Sequence, residues 1–191
     1  QVSFLRLWDN SSDPWTAIGA HEQLIQFRNF WTENMGDVSR HLAHLLSARH
    51  FDWGGVAYVG AVCTSYGYAF SAGLNGSFPI PLEDYHQNNW DIGVVAHETG
   101  HNCGTRHTHD YSPPIDDCGN GDCSSAFGGT IMSYCHTCSG GMTNIVLGFH
   151  PRVQSKIKYY LANDIISCSL DCDLALVGAC CHTDSCTEIT Q

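Results

Sequence analysis

Eleven consecutive residues, His97-Glu98-Thr99-Gly100-His101-Asn102-Cys103-Gly104-Thr105-Arg106-His107, constrain this chain more than any other stretch. They carry three imidazoles and one carboxylate at metal-site spacing. The apolar run Ile92 to Ala96 before them predicts a helix that passes through His97, with Asn88 or Asn89 as its cap and Asp91 set against the helix dipole. His97 and His101, four apart, then project from one face and can offer two nitrogens to one cation. Glu98 is turned by about 100° from His97, so it flanks the metal and can reach a water there as a general base. Gly104 can take the left-handed conformation that ends a helix, which turns the chain and lets His107 approach as third ligand. Three neutral imidazoles with an open fourth position suit Zn2+, and the chemistry this implies is hydrolysis.

A bare His-Glu-x-x-His also occurs on structural helices. Gly104 and His107 in register are what separate this stretch from that background. With Ile131-Met132-Ser133-Tyr134 downstream, the chain resembles the metzincin zinc metalloproteases, whose pattern joins the extended helix motif to a methionine turn. The resemblance implies that Met132 lies beneath the histidines as an apolar floor. It also implies a metzincin-type α/β (α+β) fold: a twisted mixed sheet with two helices above a cleft, and an irregular, disulfide-rich part below. Tyr134 is expected near the metal, where its hydroxyl either ligates zinc or stabilises an oxyanion; the alternative is a ring buried in the lower core.

Leu42 to Ser47 followed by Gly54-Gly55-Val56-Ala57-Tyr58-Val59-Gly60-Ala61-Val62-Cys63 is similar to the adamalysin or reprolysin branch, in which the second segment is the edge strand that pairs with an extended substrate. Gly54, Gly55 and Gly60 would permit close backbone approach there. Thr108 departs from that branch, which carries Asp after the third histidine, and together with Tyr134 it is more like the pappalysins. The branch also implies that Cys63 pairs with Cys168, and that residues 138–148 wall the pocket for the substrate residue after the scissile bond.

Eleven cysteines among 191 residues are many for a cytosolic enzyme, and they predict a secreted or cell-surface protein held by disulfides. Their odd number implies a free thiol or a partner outside the chain. The zinc-knuckle reading of Cys135-His136-Thr137-Cys138 lacks a second cysteine pair at finger spacing. A net charge of −11 with eight Lys and Arg argues against nucleic acid or an anionic membrane as partner. No apolar run is long enough to span a bilayer, and Gln1 opens directly into strand-like sequence, as a processed or trimmed N-terminus would explain. Protein or peptide substrates remain the expected partners. Of twelve histidines three sit at ligand spacing, and His109 and His136 are the others that flank motif residues.

Along the chain, residues 2–8 alternate like a strand, and Asp13-Pro14 supplies a cap and first-turn proline for an amphipathic helix bearing Ala17, Ala20, Leu24, Phe27 and Trp31, ending near Gly36. Residues 41–49 and 55–62 read as two strands. Pro151 opens a last helix with Val153, Ile157, Tyr160 and Leu161 on one face and Arg152, Lys156 and Lys158 exposed. Asn10 and Asn75 begin N-glycosylation sequons. The acidic loop Asp116 to Asp122 suggests a Ca2+ site, although Cys118 and Phe127 stand where EF-hand spacing needs an acidic or amide residue and Glu; a disulfide-stapled Asx turn is the alternative.

Residues 1–170 are expected to form the catalytic domain and 171–191 the start of a truncated cysteine-rich module. The family's first strand and helices have no counterpart before Gln1, so a longer natural polypeptide is expected. The function this implies is a secreted zinc endopeptidase acting through Glu98. The competing reading is a structural or adhesive module that retains the zinc site.

Overall fold

The computed structural model describes residues 2–8 and 12–165, and the backbone of two short strands at 179–182 and 185–188. Three helices, α1 (Ala20–Asn34), α2 (Trp90–Asn102) and α3 (Pro151–Asn163), accompany a sheet of β1 (Ala43–Leu46), β2 (Gly55–Ala57) and β3 (Tyr68–Ser71). This is the mixed α/β fold that the sequence implied. The sheet order is β1-β3-β2, with β1 parallel and β2 antiparallel to β3. Strands β4 (Ala179–His182) and β5 (Ser185–Glu188) form a separate antiparallel pair.

The central strand, β3, escaped the sequence reading. Its four residues, Tyr68-Ala69-Phe70-Ser71, are all buried. A strand covered on both faces loses the polar-apolar alternation that marks a half-buried one, so its only signals were β-formers between Gly67 and Gly73. The α1 stripe was legible. Ala20, Leu24 and Phe27 pack with Trp15, Leu45, Tyr68 and Phe70 in the principal core, and Trp31 lies partly buried against it.

Several boundaries move. Residues 2–8 form no strand, and the other two expected strands shorten to 43–46 and 55–57. Asp13-Pro14 does not start α1, whose first cap position is Gly19; Asp13 accepts from Trp15 N and pairs with Arg49 at 2.6 Å. Asn89 stands at the cap of α2 without capping it, because its amide donates to Glu83 O at 2.7 Å. Asp91, buried, takes the amides of Asn75 and Gly76. On α3, Val153 and Tyr160 are buried as expected, but Leu161 is exposed, and Arg152 is drawn inward to the carbonyls of Ser112 and Pro113.

Below the sheet, regular structure gives way to four short 3₁₀ turns stapled by Cys118–Cys135 and Cys123–Cys138. Both cysteines of the Cys135-His136-Thr137-Cys138 run are thereby engaged, which removes the zinc-knuckle reading. Cys63 is also disulfide-bonded; its expected partner, Cys168, lies outside the described residues, as does the Asn10 sequon. Among the described residues Cys103 is the one free thiol, half-buried. No described helix is long and apolar enough to cross a membrane.

Candidate metal centre

Helix α2 brings the motif together. His97, Glu98 and His101 lie on its buried side, while His107 reaches the same place from the segment beyond the turn. Gly104 makes that turn at φ +80°, a conformation that favours glycine, and a Cβ there would also crowd the Tyr160 ring at 3.0 Å. The helix end is held from the sheet side: Gly60 N and Ala61 N donate to the carbonyls of His101 and Asn102, each at 2.9 Å. Asn102, fully buried, returns two bonds from its amide to Tyr58 O and Tyr68 O. Its role was not read from the sequence, since an Asn at a helix end looks like an ordinary stop signal.

One ring nitrogen from each of His97, His101 and His107 falls within a sphere of contact in which all pairs are closer than 4.8 Å. His97 Nδ1 meets Ile131 O at 2.7 Å and His101 Nδ1 meets Thr105 O at 2.9 Å. A carbonyl only accepts, so both Nδ1 atoms carry the proton, and each Nε2 presents a lone pair. His107 Nδ1 faces Asp110 at 3.5 Å, which favours the same tautomer. The Nε2 atoms of His101 and His107 are 3.1 Å apart. Two lone pairs that close repel unless a cation lies between them, and tetrahedral zinc with bonds of about 2.0–2.1 Å spaces its nitrogens by roughly 3.3 Å. Burial lowers His97 to about 3 and His107 to about 4, keeping the rings neutral as metal ligands must be. The donor set therefore fits zinc.

Glu98 is 4% exposed, its Oε2 has no hydrogen-bond partner, and burial raises its carboxyl to about 8. It lies against Gly55 of β2, where a Cβ would stand 2.5 Å from Oε1. Gly54 is similarly pressed by the Trp90 ring, so these two glycines make room for side chains of α2. The sequence suggested only that they admit a substrate backbone.

Met132 is fully buried, with its sulfur beneath Gly100, where a Cβ would come within 2.6 Å. Thr108, in the position where the resemblance led to Asp, is buried and donates to Met132 O from its amide at 3.1 Å and its hydroxyl at 3.4 Å. It ties the third histidine to the methionine turn without a charge. Tyr134 Oη lies 3.1 Å from His107 Nε2, so the hydroxyl faces the histidine cluster instead of the lower core. His109 stacks on His107 with ring centres 5.2 Å apart, and His136 meets Trp90 edge-on.

His97, Glu98, His107, Tyr134 and His136 line a cleft of about 600 Å³, whose apolar wall includes Trp90, Val94, Ile131, Met142 and Ile145. A family model described as Reprolysin_5, metallo-peptidase family M12, matches residues 9–146, which include every residue of the centre. The chain belongs to the M12 metallopeptidases. A comparison with curated proteins found no match. Membership carries a zinc-dependent peptidase chemistry with proteins as substrates, in keeping with the three-histidine cluster. The expected calcium site has no such support: among the described residues Asp117 and Asp122 join no cation cluster, and Asp116 gathers only with Cys118 and Cys135, whose sulfurs are bonded to each other.

Proposed function

We propose that this M12 chain is a secreted endopeptidase in which His97, His101 and His107 hold zinc and Glu98 is the general base. The observation that carries this reading is the convergence of three imidazole nitrogens, each outer nitrogen already committed, beside a buried carboxylate oxygen with no partner. Zinc, when bound, supplies a Lewis acid that polarises the peptide carbonyl and acidifies water. Glu98 takes the proton of the attacking water and passes it to the leaving amine. The Tyr134 hydroxyl donates to the oxygen that gains charge, or joins the ligands of the resting enzyme.

Substrate binding follows from strand β2. Ala72 N donates to Gly54 O and Tyr58 N to Tyr68 O, so Gly55 and Ala57 are the non-bonded members of the ladder and turn their own N–H and C=O to the open edge. An extended peptide adds there as a further strand. The disulfides suit an oxidising, extracellular setting. Among metzincins we assign the chain nearest the adamalysin branch, with pappalysin-like Thr108 and Tyr134, with residues 1–170 as catalytic domain and 171–191 opening a cysteine-rich module.

The test is cleavage of an unfolded protein by the zinc-loaded chain, with and without chelator. Chelator-sensitive cleavage that falls at least about 10³-fold in Glu98→Gln, with zinc content unchanged, is expected. Wild-type cleavage by Glu98→Gln would remove the assignment.

A further inference from the structure

The cleft carries two acidic side chains and no lysine or arginine. Asp52 and Glu98 line it, whereas none of the eight Lys and Arg does. Most of these cations are occupied elsewhere: Arg6, Arg28, Arg40 and Lys156 lie over the rings of Trp8, Tyr66, Tyr68 and Tyr159, Arg49 pairs with Asp13, and Arg152 serves the carbonyls of Ser112 and Pro113. Asp52 has no ion-pair partner among the described residues; its Oδ1 accepts from Trp53 N at 3.2 Å. Trp53, beside it on the cleft, is 61% exposed. An unpaired carboxylate next to an open indole is matched by one kind of side chain, a cationic head on an aliphatic stem.

Its place along a substrate follows from the ladder. Gly55 abuts Glu98, and the pairing with β3 continues through Gly54, so Asp52 lies just past the ladder, at the end of the edge where β2 begins. A peptide paired antiparallel to β2, the slightly stronger arrangement, brings the second or third residue after the scissile bond to that end.

We propose that the cleft selects peptides carrying Lys or Arg two or three residues after the scissile bond, through Asp52 and Trp53. This rests on the peptidase reading and adds the substrate class to it. Three quenched peptides of one sequence, with Lys, Gln or Glu at that position, are offered to the zinc-loaded chain. The expected order of kcat/KM is Lys, Gln, Glu, with about fivefold between neighbours, shrinking in high salt. Asp52→Asn brings the Lys-to-Gln ratio toward one, and Trp53→Ala lowers it. Equal kcat/KM for the Lys and Glu peptides, or a ratio that Asp52→Asn leaves unchanged, overturns the inference. If no peptide is cut, the peptidase reading has failed, and anisotropy of labelled peptides with the Glu98→Gln protein decides the selectivity separately: tighter binding of the Lys peptide supports it, and equal or absent binding overturns it.

Discussion

A Cβ at Gly55 would stand 2.5 Å from Glu98 Oε1, so a side chain there requires the carboxyl to shift. Gly55→Ala should therefore displace Glu98, the proposed base, while leaving the histidines in position. A misplacement of about 1 Å can cost on the order of 10² in rate, so kcat is expected to fall about 10²-fold with zinc content unchanged. An Ala variant with normal kcat would mean that Glu98 moves freely and that the contact is incidental. Tyr134→Phe isolates the second group: loss of one oxyanion donor typically lowers turnover about 10²–10³-fold with little change in KM, whereas a packing role would leave kinetics near normal. At this scale the sequence was most legible where a residue's duty is fixed by spacing. His97, His101 and His107 converge because helix geometry and one glycine turn bring them together. The Glu98–Gly55 contact joins residues far apart in the chain, and nothing local to either records it.

Helix α2 both carries His97 and His101 and braces against the sheet, and its last residue does the fastening. Asn102 donates to Tyr58 O and Tyr68 O, and its own carbonyl accepts from Ala61 N. Tyr68 O keeps the bond from Tyr58 N if the amide is lost, but Tyr58 O loses that donor. Asn102→Ala should cost about 2 kcal/mol, seen as a lower urea midpoint at unchanged m-value. An unchanged midpoint would show that water replaces the amide at no cost. The elements themselves were unevenly readable. Helices α1 and α3 announced themselves by periodicity and by Pro151, since each buries one stripe and exposes the rest. Strand β3 has no exposed face to reveal its period, and residues 2–8 show that β-forming composition without a pairing partner makes no strand.

The molecule as a whole joins a sheet-and-helix upper part to a lower part with little regular structure, and the centre lies where they meet. His97 and His101 come from α2, while His107 and Tyr134 belong to the lower segments, which Thr108 and two disulfides tie to the methionine turn. A metal held by all three histidines is therefore a cross-link between the two parts. Binding to the folded state alone stabilises by about 4 kcal/mol when free zinc is a thousand times Kd, and for a chain of this size each kcal/mol moves Tm by about 2–4 °C. Chelation should then lower Tm by about 10 °C, and the shift should track zinc concentration. Two variants make the measurement specific. Glu98→Gln should keep the full shift, because the proposed role of Glu98 is a base and no ligand, while His107→Ala should lose most of it, because the proposed link to the lower part is gone. If His107→Ala retained the wild-type shift, the metal would be held by α2 alone, and the lower part would owe its position to Thr108 and the disulfides.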